Sequence, residues 1–422
     1  MKPPKPTESI DKLMALVKAA AAEAANYQDR FAAEDTEARR IVDIMEDFLR
    51  AQGRVVYGGA AINAHLPPDK KFYDPTLYLP DYDFMTPDPL QDCADLIVTF
   101  KHNGFSDVEA KFGIHEGTYK VFVNFRPAAD ITFMPRTIYS RIVRDSKRID
   151  GIRYASVNYL RMNMYLELSR PAGMVSRWEK VYERLLLLND AHPLKVRGCK
   201  PVGEQPMVLA NKKQLEIQDR IVHIGIEAGA VFLSGIPDVQ REVILMMSDT
   251  APSVVAKIKE AFPSSRIKVT QFDALGELLP ARTEITKQTP TGPSVIAVVF
   301  ETVACHSYTV LPLPYPEGYR FGSLDLLIQM YYAMYFAGLH EYVLPVRLMC
   351  RIQSLIDLEV ERRSAVAGGE GGKGGEGIRD VFPLDCIGHQ PTMPELKRAH
   401  RQRVQEKQEA LHKAIGVVAV KT

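Results

Sequence analysis

Val55-Val56-Tyr57-Gly58-Gly59-Ala60-Ala61-Ile62-Asn63-Ala64-His65 starts as an apolar run, turns on two glycines and continues in a helical pattern. Residues 54–57 are expected as a short strand and 60–65 as the start of a helix. Paired glycines at such a joint let the backbone approach a phosphate and aim amides at it from the helix N-terminus. A loop with Pro67, Pro68, Pro75 and Pro80 follows, then Asp81-Tyr82-Asp83-Phe84-Met85 as a strand. Its period of two puts Asp81 and Asp83 on one face. Residues 90–103 read as a helix, and 119–125 and 129–134 as strands, the last carrying Asp130. Carboxylates suit hard divalent ions, and three of them from two strands suggest a two-metal site for in-line attack on phosphorus. Asp130 is assigned to the ion on the hydroxyl side and to the nearest thing to a general base. Taken alone, Gly-Gly is a plain turn and Asp-x-Asp a solvated loop; together with the later Asp they point to nucleotidyl transfer.

The order strand, helix, strand, helix, strands implies an α/β (α+β) sheet domain. Residues 157–188 turn helical, and a basic, Gly- and Pro-containing shift at 193–206 marks a boundary. Beyond it, strands are expected at 231–235, 243–247, 267–272 and 295–302, with a helix at 251–262. This second α/β domain matches the first in size, which an internal duplication would explain. No Asp-x-Asp falls on an expected strand between 225 and 345. Helices broken near Pro345 fill 323–363, and seven glycines crowd residues 368–377. The organisation is therefore N-terminal helices over 1–50, an expected catalytic domain over 51–195 and a second α/β domain with long helices over 205–363. A Gly-rich flexible loop over 364–380 and a C-terminal basic segment over 381–422 complete it.

Composition bounds the partners. The 422 residues carry 53 Lys and Arg against 52 Asp and Glu, a formal charge of +1, so nucleic-acid contacts must come from local clusters of bases. No apolar run reaches the ~18–20 residues of a membrane helix, and residues 1–7 lead into no apolar signal core, so an intracellular protein is expected. Five cysteines lie far apart, with no Cys-x-x-Cys pair and no finger spacing. They are expected to be reduced thiols, with no zinc site.

Six segments together resemble the poly(A) polymerase catalytic subunits of large nucleocytoplasmic DNA viruses, of poxvirus and giant-virus type. They are VVYGGAAINAHLP from 55, LPDYDFMTPDP from 79, ADITFMP from 129, YLRMNMYLELSRP from 159, RWEKVYERLLLLN from 177 and VFPLDCIGHQPT from 381. The resemblance implies a polymerase-β-like nucleotidyltransferase domain, a second, degenerate nucleotidyltransferase-like domain and C-terminal helices. It implies template-independent addition of AMP from ATP to RNA 3′ ends. The metal ligands would be Asp81, Asp83 and Asp130, holding Mg²⁺ or Mn²⁺, with Gly58 and Gly59 at the triphosphate. Single-stranded RNA would be the partner, no membrane would be involved, and a homodimer is implied by some relatives. The site of action would be the cytoplasm of an infected cell, the virion, or both. Two alternatives stay open: a terminal nucleotidyltransferase of other nucleotide or acceptor, and a non-catalytic RNA-binding scaffold. The 21 residues between Gly59 and Asp81 exceed the spacing of compact superfamily members.

Other residues have plainer readings beside functional ones. Arg136, Arg141, Arg144, Lys147, Arg148 and Arg153 could line an RNA or triphosphate channel or form a solvated face. Arg177 and Lys180, three apart, are expected to share a helix face and hold the triphosphate. Trp178 is read as a core anchor, as are Tyr154, Tyr159 and Tyr165. Asn63 and His65 are read as capping or packing residues. The basic helix at 394–413 is either an RNA-binding extension or a solvated tail.

Overall fold

The computed structural model describes residues 6–73, 79–199, 221–234, 243–260, 267–276, 278–290, 292–310, 319–369 and 377–414. The chain divides into two compact units, the first made of residues up to 113 with 118–133 and 146–155, the second of the remainder.

The first unit begins with α1 (Pro6–Glu34) and α2 (Thr36–Gln52), separated by Asp35, whose side chain accepts the N–H groups of Glu37 and Ala38. One apolar spacing has two outcomes here: α2 buries Ile41, Ile44, Met45, Phe48 and Leu49, whereas Ile10, Leu13, Leu16 and Val17 on α1 stay exposed. Then come β1 (Val55–Tyr57), α3 (Gly58–His65), β2 (Asp83–Thr86), α4 (Pro89–His102), β3 (Val108–Phe112), β4 (Thr118–Val123) and β5 (Arg126–Phe133). After α5 (Arg136–Asp145), which belongs to the second unit, β6 (Lys147–Ile149) and β7 (Ile152–Tyr154) complete the sheet. Its order is β3-β4-β5-β2-β1-β7-β6, parallel only at β2–β5 and β1–β7. Leu96 and Phe100 of α4 are fully buried, and α4 packs on β3, β4 and β5.

The second unit holds α6 (Val157–Leu168), α7 (Trp178–Ala191), β8 (Val222–His223), α8 (Ile226–Ser234), β9 (Ile244–Ser248), α9 (Ala251–Glu260), β10 (Ile267–Phe272), β11 (Arg282–Thr289) and β12 (Gly292–Glu301). It continues with β13 (His306–Val310), β14 (Arg320–Gly322), α10 (Leu324–Ala337), α11 (Pro345–Ala367), α12 (Ile378–Val381), β15 (Cys386–Ile387) and α13 (Met393–Ala414). The sheet order is β10-β11-β12-β9-β8-β14-β13-β15. Counted from its own first strand, each sheet runs third, fourth, fifth, second, first, seventh, sixth. The parallel pairs β9–β12 and β8–β14 fall where β2–β5 and β1–β7 fall. Only β15 is extra, so the second sheet repeats the first in topology. Its core joins Met246, Ala297 and Val299 to Val254, Val255 and Ile258 of α9.

Two expectations are corrected. Residues 231–234, read as part of a strand, lie in α8; a short apolar run such as Val231-Phe232-Leu233 cannot separate the two states. Four of the five cysteines are paired rather than free: Cys199 with Cys350 and Cys305 with Cys386, at Cα separations of 5.5 and 5.3 Å. The pairings are long-range products of the fold, since β13 and β15 align Ser307 with Cys386 and so bring Cys305 beside it. Cys93 alone is free, and burial pushes its thiol up to about 11. Most of the glycine run, 370–376, and residues 200–220 at the expected domain boundary lie outside the described residues. Among the described residues no helix is long and apolar enough to cross a membrane.

Candidate active site

The site is a row of side chains drawn across the first sheet by strand register. Tyr57 of β1 stands opposite Asp83 of β2, Asp83 opposite Asp130 of β5, and Asp130 opposite Lys120 of β4. Opposite residues of neighbouring strands project to the same face, roughly 5 Å apart. Asp83 and Asp130 are therefore neighbours by construction. Asp81 precedes β2 rather than lying in it; between the two acids, Tyr82 is buried and its hydroxyl donates to Glu46 of α2 at 2.7 Å. That anchor fixes which way the Asp-x-Asp segment faces.

Gly58 closes the other side. Its φ is 71°, a left-handed conformation, and a Cβ there would stand 2.5 Å from Asp83 Oδ2. Only glycine allows the carboxylate to sit against the strand-to-helix joint. The Tyr57 hydroxyl hydrogen-bonds Thr132 Oγ1 at 2.8 Å, bracing the floor of the row. Asn63 ties down the loop after α3, accepting from Phe72 N–H at 2.9 Å and Tyr73 N–H at 3.0 Å. His65 bonds the Ala155 carbonyl at 2.8 Å. Both are the packing residues expected.

Electrostatics single out the same face. Asp81 is open to solvent on one side but crowded by protein on the others, and its carboxyl is raised above the ordinary range. Desolvation is the main cause and the Asp130 charge the second, with Lys120 opposing. The Lys120 ammonium donates to Asp130 Oδ2. Sequence reading missed Lys120, which sits in an alternating strand where a lysine reads as a solvent-facing residue; only register places it opposite Asp130. Among the described residues no three His, Cys, Asp or Glu side chains already form a metal-holding group, and Lys120 supplies the cation nearest Asp130.

In the second sheet the positions of the acids are apolar, and Glu284 stands opposite Val298 where Lys120 stands opposite Asp130. Val222 pairs with Met247 and His223 with Met246, and Met246 pairs with Val299. By register Val243, Leu245 and Val298 thus correspond to Asp81, Asp83 and Asp130, and Leu245 and Val298 are 0% exposed.

Arg177 and Lys180 belong to the second unit. Arg177 ends a 3-10 turn ahead of α7 and donates to Glu167 at 3.2 Å, while Lys180 lies exposed on α7. Trp178 is the anchor expected, bonding the Glu167 carbonyl at 3.1 Å and stacking on Phe382. Arg141 is committed to the Ala337 carbonyl and Arg153 to Ser146.

The pattern of the poly(A) polymerase catalytic subunit family matches residues 43–174. A poly(A) polymerase catalytic subunit of Acanthamoeba polyphaga mimivirus is 34% identical over 163 residues, 38% of this chain and 27% of that protein. Its African swine fever virus counterpart (strain Badajoz 1971 Vero-adapted) is 24% identical over 191 residues, 44% of this chain and 40% of that protein. The aligned regions thus span less than half of these relatives. The crystal structure of the Megavirus polyadenylate synthase superposes with a TM-score of 0.74 at 22% identity, covering 97% of this chain and 86% of that one. The resemblance drawn from the motifs therefore holds in both respects: residues 43–174 match the viral poly(A) polymerase catalytic subunits in sequence, and nearly the whole chain shares the nucleotidyltransferase fold of a viral polyadenylate synthase.

Proposed function

We propose that the chain is a template-independent poly(A) polymerase, adding AMP from ATP to the 3′ end of single-stranded RNA. The observation that carries this reading is the row Asp83, Asp130 and neighbouring Asp81 beside Gly58, within the segment matched by the family.

The donor set fits Mg²⁺ or Mn²⁺. It offers only carboxylate oxygens, and the mutual repulsion of Asp81 and Asp130 is what a divalent cation would relieve. Asp81, Asp83 and Asp130 would hold it, and when bound it supplies charge neutralisation and a more acidic attacking hydroxyl. The protein's own part is positional. Gly58 and Gly59 would turn the first amides of α3 toward the triphosphate, Lys120 holds the Asp130 carboxylate, and Asp130 would take the hydroxyl proton. Arg177 and Lys180 are proposed as triphosphate contacts on their spacing in sequence alone, to be tested by the ATP KM of Arg177→Ala and Lys180→Ala. A homodimer acting in the infected-cell cytoplasm or the virion completes the proposal, and sedimentation showing only monomer would remove the dimer.

The test offers purified full chain a labelled oligoribonucleotide and a protein acceptor with each of the four ribonucleotides in turn. Extension of the RNA with ATP is expected, and none by Asp83→Ala. Preference for another nucleotide or acceptor, or activity surviving in that variant, would overturn the reading.

A further inference from the structure

The last helix, α13, sorts its charges by face. Pro394, Lys397, Arg398 and Arg401 follow the i, i+3, i+4, i+7 spacing of one helical side. With Met393 they line a shallow cavity of about 470 Å³, within the ~300–1,000 Å³ of small-ligand sites. The three cations are exposed, and none has an acidic partner among the described residues. Met393, 55% exposed, gives the cavity an apolar floor.

The acids of α13 are held elsewhere. Glu395 accepts the Thr392 N–H at 2.7 Å, the Thr392 hydroxyl at 2.8 Å and the His389 imidazole at 3.0 Å. Glu406 accepts from Gln402 at 2.9 Å and Glu409 from Gln405 at 3.0 Å. Arg403 is committed to the Ile114 carbonyl at 2.8 Å. An ordinary solvated helix interleaves opposite charges so that they offset one another. Here glutamines and a capping turn occupy the carboxylates, and the bases on one side are left uncompensated.

Three cations in a row over an apolar floor complement a chain of phosphates with bases attached. We propose that this face of α13 is a non-catalytic grip for single-stranded RNA, with Lys397, Arg398 and Arg401 taking consecutive phosphates and Met393 supporting a base. The choice of partner rests on the RNA-acting reading above; the face itself does not.

The test is fluorescence anisotropy of labelled oligo(A) of twenty nucleotides, titrated with full chain across a series of salt concentrations. The triple variant Lys397→Gln, Arg398→Gln, Arg401→Gln is compared with wild type. Losing three phosphate contacts should weaken binding about tenfold at low salt and flatten the slope of log affinity against log salt by about 2. Melting should be unchanged, because the three side chains are exposed. Unchanged affinity and slope would overturn the grip, as would an equal loss for a blunt RNA duplex of the same length. If wild type shows this variant-sensitive binding yet incorporates no nucleotide, the polymerase reading falls and the grip stands.

Discussion

Leu245 and Val298 stand in the second sheet where Asp83 and Asp130 stand in the first, on strands paired in the same order and direction. A carboxylate row must keep water or cations within reach, since buried unpaired charge is costly. The first sheet leaves Asp81 exposed and Asp83 and Asp130 half-buried. The two positions that hold Asp83 and Asp130 carry no charge in the second sheet and have closed: Leu245 and Val298 are fully buried. The strand plan alone is thus chemically neutral; what makes one copy a candidate catalyst is three acids, one lysine and one left-handed glycine.

The contrast is sharpest at equivalent positions. Asp83→Leu gives the first sheet the second sheet's residue: primer extension should fall at least about a hundredfold, while calorimetry should still show a cooperative transition, since Asp83 is half-buried and not a core residue. The reverse exchange, Leu245→Asp, should cost about 3–5 kcal/mol in urea unfolding, because the new carboxylate has no partner in that core. The fraction remaining folded should keep its activity; loss of both together would mean that the second sheet takes part in the chemistry.

A smaller effect is expected from Gly58→Ala. The left-handed φ of 71° costs an alanine about 1–2 kcal/mol, and the new methyl must push Asp83 away. Extension should therefore fall more than the melting temperature suggests. An alanine variant that is less stable but equally active would contradict the close approach of glycine and carboxylate.

A pH-dependent effect belongs to the second unit, which holds one charged cluster inside. Arg363 pairs there with Asp325 at 2.6 Å and with Glu359. Burial, with the Asp325 charge adding to it against the opposing Arg363, pushes Glu359 up to about 7 from 4.5. A carboxyl raised on folding contributes stability in full below pH 4.5 and loses it as the pH rises through about 7. Chemical unfolding should show that slope in wild type, and Glu359→Gln should flatten it. An unchanged slope would mean that other groups set it.

The candidate site was largely legible because each of its devices is local. A strand, two glycines and a helix start are adjacent in sequence, and the period of two places Asp81 and Asp83 together without a fold. Asp130 needed the guess that its strand lies beside the first, which the register bears out. What stayed hidden is non-local. Lys120 gains its meaning only from standing opposite Asp130, and Cys305 and Cys386, 81 residues apart, meet only because β13 and β15 pair. The duplication was visible in size and element order, but the identity of the strand plans appears only when both sheets are laid out. Likewise the basic tail read as either solvated or functional until the partners of Glu395, Glu406 and Glu409 separated its faces.

The most direct test of the difference between the two sheets is binding of Mn²⁺, followed by its electron paramagnetic resonance signal, to full chain with a non-hydrolysable ATP analogue. The account predicts bound Mn²⁺ in wild type and in folded Leu245→Asp, and its loss in Asp83→Leu. Equal binding by Asp83→Leu and wild type would contradict it.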